Sequence, residues 1–170
     1  MTRLANQMKR EGRSVIALSQ GEPDFPTPEH VREAGKAAIE RNESRYTDVA
    51  GTHALREAVV RKFERDHGLG YTPEQIQVGC GAKQILYNAL QATLNAGDEV
   101  VIPTPAWVSY PEMVLLAGGK PIIVRCGAQT GFKITPSQLE AAITPRTKWL
   151  MLNSPSNPSG AVYSQVELLA

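Results

Sequence analysis

The sequence predicts an α/β fold built on a mostly parallel sheet with helices on both faces. Short β-type runs alternate with segments of helical period, and Pro, Gly and capping residues punctuate the changes between them. The length agrees with that architecture: 170 residues suffice for one domain with a real core.

Residues 15–19 form a short apolar run closed by the Gly/Pro-rich loop 21–26. Thr27 and Pro28 open a helix to about Arg41, as N-cap and first helical residue. Residues 44–51 are loop. Thr52 caps a second helix, with Leu55, Val59 and Phe63 along one face and Gly68 as its stop. Beyond Thr72-Pro73, residues 75–80 read as a first strand, followed by Gly81 and a helix carrying Ile85, Leu86, Ala89, Leu90 and Leu94. Residues 99–102 are a second strand, 107–117 a helix entered through a Pro-rich loop, and 121–126 a third strand. Thr135-Pro136-Ser137-Gln138 is a capping box for a helix to about Ile143, and 148–153 are a fourth strand. Ser164-Gln165-Val166-Glu167 is another capping box. Its helix would have one or two turns before Ala170, too few to hold by propensity, so the chain is expected to be a piece of a longer one. A sheet ending partway leaves an open edge strand and an uncovered apolar face.

Composition removes several classes of function. Eighteen Lys and Arg against 17 Asp and Glu give a formal charge of +1, so no global field points to nucleic acid or an anionic membrane. No apolar run approaches the roughly 18 residues of a membrane span. The first residues carry charges where a signal peptide needs an apolar core, and a cytoplasmic location is expected. Cys80 and Cys126 are neither a disulfide framework nor a zinc set; both read as buried small apolar residues. His30, His53 and His67 lack metal-ligand spacing and read as surface or capping residues, with no metal site.

Three segments carry candidate chemistry. Gly81-Ala82-Lys83 places a glycine and a lysine at a helix N-terminus, where unpaired amides and the dipole suit a phosphate. Tight strand-to-helix packing beside a solvated lysine would explain the same residues. Neither a P-loop nor a dinucleotide fingerprint fits: Gly81-Ala82-Lys83-Gln84 lacks the spacing and hydroxyl of the first, and Gln84 stands at the third glycine of the second. Trp107, in the loop after a strand, lies where a parallel sheet binds ligands, or packs its helix onto the sheet. Asn153-Ser154-Pro155-Ser156-Asn157-Pro158-Ser159-Gly160 presents Asn157 rigidly between fixed backbone angles, although an ordinary turn would also use these residues. In a parallel sheet all three segments share one rim, and one ligand could touch them all.

Five motifs occur in order: Ser19-Gln20-Gly21-Glu22-Pro23-Asp24-Phe25, Tyr46-Thr47 with Gly51 and Leu55-Arg56-Glu57-Ala58, Gly81-Ala82-Lys83-Gln84, Pro105-Ala106-Trp107-Val108-Ser109-Tyr110-Pro111, and the 153–160 segment. Together, over about residues 12–170, they resemble class I pyridoxal-phosphate aminotransferases of the bacterial aspartate aminotransferase type. The resemblance implies an incomplete large cofactor domain of that family, with residues 1–26 an N-terminal segment of the small domain and 27–170 the first half of the large one. It implies transfer of an amino group between an amino acid and a 2-oxo acid through pyridoxal 5'-phosphate. Gly81, Ala82 and Lys83 would anchor the cofactor phosphate, Trp107 would stack on the pyridine ring, and Asn157 would bond the ring's phenolic oxygen and the substrate carboxylate. Tyr46 would reach the phosphate of a neighbouring subunit, implying a homodimer, and Gly21 would lie against the substrate carboxylate.

Family members are more than twice this long. Their downstream half carries the Schiff-base lysine, the aspartate on the pyridinium nitrogen, a tyrosine on the ring oxygen and the carboxylate-binding arginine. No residue here takes those parts, and the place of Lys83 beside the phosphate argues against its replacing the lysine. The chain alone is expected to be inactive, and the donor amino acid stays open. A non-catalytic interaction protein derived from an aminotransferase and a dinucleotide-binding α/β domain are the competing readings.

Overall fold

The computed structural model describes residues 2–16, 21 and 23–170, in two compact units, residues 1–47 and 48–170. The first unit contains α1 (Thr2–Arg10) and α2 (Glu29–Glu40). α1 falls where no element is expected from hydrophobic period; its Arg, Leu, Ala, Gln, Met and Lys residues favour a helix. α2 matches its expected span, but Thr27 does not cap it. The N-cap position falls on Pro28, whose carbonyl accepts from Val31 and Arg32 at 3.0 and 3.1 Å. Most of the apolar run at 15–19 lies outside the described residues.

The second unit begins with α3 (His53–His67). Its caps are those the sequence specifies: the Thr52 hydroxyl accepts from the Leu55 amide at 3.4 Å, and Gly68 ends the helix at φ 65°. Residues 75–80, expected as a strand, are not one. Pro73–Gln75 form a single 3-10 turn, and the remainder makes one sheet-like bond, Val78 N–H to the Ala50 carbonyl at 3.0 Å. Gly79 and Gly81 contribute no side chain to hold a pleated surface there.

The sheet has three strands among the described residues, in the order β2-β1-β3, all parallel: β1 (Glu99–Thr104), β2 (Lys120–Arg125) and β3 (Thr147–Leu150). β1 and β2 pair without interruption from Glu99↔Lys120 to Thr104↔Arg125. β3 pairs with β1 across an irregularity that leaves Lys148 unmatched. It therefore stops at Leu150 rather than Asn153, although the Met151 amide still bonds the Val101 carbonyl at 2.9 Å.

The helices pack on the two faces. Val100 and Ile102 point to α4 (Ala82–Thr93) and α5 (Ser109–Leu116), closing a core with Leu90, Leu94, Met113, Val114 and Met151. Val101 points the other way, to Cys126 and Ile134, with Leu139 of α6 (Pro136–Ala142) and Tyr163 packed alongside. The strand period of two thus divides the core between the faces. The capping boxes at Thr135 and Ser164 both form, the second opening α7 (Gln165–Leu169). Cys126 is buried, but Cys80 is exposed, against expectation: without a strand at 75–80, none of the described residues covers it. The three histidines are exposed. The described residues hold no cluster of metal-ligating side chains and no helix long and apolar enough to cross a membrane.

Candidate functional site

The carboxyl ends of β1 and β3 open onto the same rim, and the candidate residues of the 48–170 unit gather there. Gly81 is the N-cap of α4 at φ 88°, ψ 162°, a backbone region glycine enters without a Cβ penalty. An added Cβ at Gly81 would meet nothing within 4 Å, whereas one at Gly79 would come 2.6 Å from Ile85 Cδ1. Gly79 thus lets the loop lie against the helix, and Gly81 turns the chain into it. Gln84 fastens this turn, its Oε1 accepting from the Cys80 amide at 2.5 Å. Gly81, Ala82 and Lys83 are all exposed, with the first-turn amides facing away from the helix body.

Lys83 joins this turn to the next segment. Its Nζ lies 4.7 Å from the centroid of the Trp107 ring, within cation–π range. Trp107 is half-buried, packs on the core of that face and meets Tyr110 edge-on at 5.5 Å. It precedes α5 rather than starting it, because the helix begins at Ser109. Trp107 is therefore presented from a loop whose far side is fixed by the helix.

A narrow cleft connects that loop to the third segment. Pro105, Ala106 and Tyr110, which flank Trp107, face Asn153, Ser156 and Asn157 across it, with Phe132 and Tyr163 also on its wall. The Asn157 amide donates to Asn153 Oδ1 at 2.9 Å, the Ser156 amide to the Ala161 carbonyl at 2.9 Å, and the Gly160 amide to the Ser156 carbonyl at 2.7 Å. These bonds close the loop on itself and leave the Asn157 carboxamide exposed, with no bond to the described residues. Gly81–Lys83, Trp107 and Asn157 thus stand on one side of this unit.

Gly21 and Tyr46 belong to the 1–47 unit, and both are exposed there; Tyr46 is fully open to solvent. Four more residues stand at this rim: Gln84 and Tyr110, which lie within the motifs but carry no expected role, and Phe132 and Tyr163, which the sequence does not single out. The first could have been found as a polar residue three positions after the N-cap. Tyr110, Phe132 and Tyr163 are aromatics that face segments distant in sequence across the cleft.

The most strongly perturbed buried acid lies at the other end of the sheet. Glu99, 2% exposed, accepts from Thr144 Oγ1 at 2.7 Å, Arg146 Nη2 at 2.9 Å and Lys120 Nζ at 3.2 Å. The Thr144 hydroxyl, then Arg146 and Lys120, hold its carboxyl down at about 2. A fully satisfied carboxylate beneath the sheet is a structural network, not a reacting group.

Residues 13–170 match the family model described as aminotransferase class I and II. Over 170 residues the chain is 59% identical to the aspartate/prephenate aminotransferase of Cereibacter sphaeroides, spanning all of this chain and 42% of that protein. It is 55% identical over 163 residues to the aspartate aminotransferase of Rhizobium meliloti, covering 96% of this chain and 40% of the relative. The crystal structure of the aspartate aminotransferase from Rhizobium meliloti superposes with a TM-score of 0.93 at 54% identity, over 99% of this chain and 42% of that one. A structure of the Thermus thermophilus aspartate aminotransferase with maleate gives 0.94 at 48% identity, over 98% and 44%. The chain therefore spans about two fifths of the length of these relatives.

Proposed function

Because the chain belongs to the class I and II aminotransferases, we propose that the intact protein moves an amino group between an amino acid and a 2-oxo acid with pyridoxal 5'-phosphate. One observation supports this best: three loops of one unit converge on the rim of a parallel sheet, with Lys83 4.7 Å over the Trp107 ring. The residues present fit the cofactor. The open space at Gly81 and the exposed first turn of α4 suit a phosphate, which the amides of Ala82 and Lys83, the helix dipole and the Lys83 ammonium would hold. The Trp107 ring would stack on the flat pyridine. The Asn157 carboxamide, exposed and without a bond to the described residues, would donate to the ring's phenolic oxygen and to the substrate carboxylate. When bound, pyridoxal phosphate supplies an electron sink for bonds broken at the amino acid's α-carbon. This chain's residues bind and orient.

The rest of the reading follows the family. Residues 1–26 would belong to the small domain and 27–170 to the large one. Gly21 would lie against the substrate carboxylate. Tyr46 would reach the phosphate of a second subunit, making the intact protein a homodimer, in the cytoplasm. Aspartate is the proposed donor, after the relatives' names; the Thermus relative's maleate is likewise a four-carbon dicarboxylate. The lysine and arginine chemistry of the family has no counterpart in these residues, so the 170-residue chain alone would complete no half-reaction.

Fluorescence titration of the full-length protein tests this. Pyridoxal phosphate should bind and NAD should not. Trp107→Ala should weaken cofactor binding roughly three- to tenfold, the value of one aromatic stacking contact. Binding of NAD in preference to pyridoxal phosphate, or an unchanged affinity in Trp107→Ala, would refute the assignment. Transamination by the 170-residue chain alone would overturn its expected inactivity.

A further inference from the structure

We infer that Tyr163 is a positioning residue: it ties the loop that presents Asn157 to the turn that follows β2. The inference rests on the reading of Asn157 given above and deepens it. Tyr163 stands just beyond that loop and touches both sides of the junction. Its main-chain amide donates to Ser154 Oγ at 3.1 Å, holding the entry of the loop. Its phenolic oxygen accepts from the Ile134 amide at 2.8 Å, and its ring packs on Val101, Cys126 and Ile134. The ring also walls the cleft that Asn153, Ser156 and Asn157 line.

The turn it grips is itself held firmly. Gly131 and Phe132 both adopt φ 60°, a region that disfavours an aromatic side chain. The Phe132 amide bonds the Gly127 carbonyl at 3.0 Å, and the Phe132 ring forms part of the same cleft wall. Lys133 adds a second strap. Its ammonium pairs with Glu167 of α7, reaches the Val162 carbonyl at 3.4 Å and lies 5.9 Å from the Tyr163 ring centroid. A strained residue kept in place by surrounding bonds is a rigid reference point. Tyr163 transmits that rigidity to a loop whose own bonds are internal, so Asn157 stays aimed at the rim.

The test uses the full-length protein and two readouts. In the cofactor-free form, hydrogen exchange of the Asn157 and Gly160 amides reports loop order. In the loaded form, the pH midpoint of the cofactor's visible absorption reports the donor on the ring oxygen, since losing a donor raises that midpoint. Tyr163→Leu should speed exchange at both amides about tenfold and move the midpoint in the same direction as Asn157→Ala. Tyr163→Phe keeps the ring and loses only the Ile134 bond; it should do both to a smaller extent, and it serves alone if the leucine variant does not fold. Leu139→Ala, which thins the same core, should lower stability and leave the midpoint fixed. Unchanged exchange in the Tyr163 variants overturns the inference. So does faster exchange with a fixed midpoint where Asn157→Ala does shift it. A fixed midpoint in Asn157→Ala itself shows that the Asn157 reading has failed, and the positioning role with it.

Discussion

Replacing Leu90 by alanine tests the packing that seats α4, and with it the Gly81–Lys83 turn, on the sheet. Leu90 is fully buried among Leu94, Val100, Ile102, Met113 and Val114. The substitution removes three carbons, worth about 0.8 kcal/mol each on transfer from water. The neighbours are β1 and α5, which cannot collapse far into the space, so a cavity cost adds to the transfer cost. The expected loss is about 3–4 kcal/mol, a large share of the roughly 5–15 kcal/mol typical of a domain. Trp107 and Trp149 both pack on this cluster, so urea unfolding followed by tryptophan fluorescence reads it directly. Leu116→Ala on the adjacent helix is the control: that side chain is 71% exposed, and its loss should change stability by no more than about 0.5 kcal/mol. If Leu90→Ala costs under about 1 kcal/mol, or if the two variants are alike, the assigned core is wrong.

Acid stability should depend on Glu99. Its carboxyl is held at about 2 against an ordinary 4.5, so its contribution is full above about 4.5 and is lost as pH falls towards 2. Glu167, also held at about 2 by Lys133 and Ser164, acts in the same window. Glu99→Gln should lower the melting temperature at pH 7 and flatten its fall below pH 4.5; an unchanged acid profile would show that the Thr144, Arg146 and Lys120 contacts do not matter. Gly51 and Gly81 make a matched pair, at φ 96° and 88°. Alanine at Gly81 should cost about 1–2 kcal/mol from the backbone alone. At Gly51 it should cost more, because its Cβ would lie 2.9 Å from Val78; equal melting temperatures would refute the difference. A thiol reagent should label Cys80 in the folded protein, while Cys126, buried and with its thiol pushed up by burial, should react only in denaturant.

Local chemistry made much of this protein legible from residue order. Thr52, Thr135 and Ser164 carry the atoms that cap their own helices, and Gly68 needs only its own backbone freedom to end one, so these boundaries follow from neighbours a few positions apart. The apolar period likewise placed α4, short β-type runs placed β1 and β2, the Thr135 capping box placed α6, and five short motifs in register specified the family. What sequence could not decide depends on partners distant along the chain. Residues 75–80 have strand composition, yet among the described residues no strand lies beside them, and a strand exists only when a second backbone accepts its bonds. Cys80 is exposed for the same reason. Thr27 has a capping hydroxyl, but the chain enters its helix one residue later. The apposition of Lys83 with Trp107, the cleft between Tyr110 and Asn157, and the grip of Tyr163 on Ile134 all join segments separated by two dozen residues or more. Such contacts are set by the strand order β2-β1-β3 and the irregular pairing of β3. Hydrogen bonding between strands fixes them, and no local propensity encodes it.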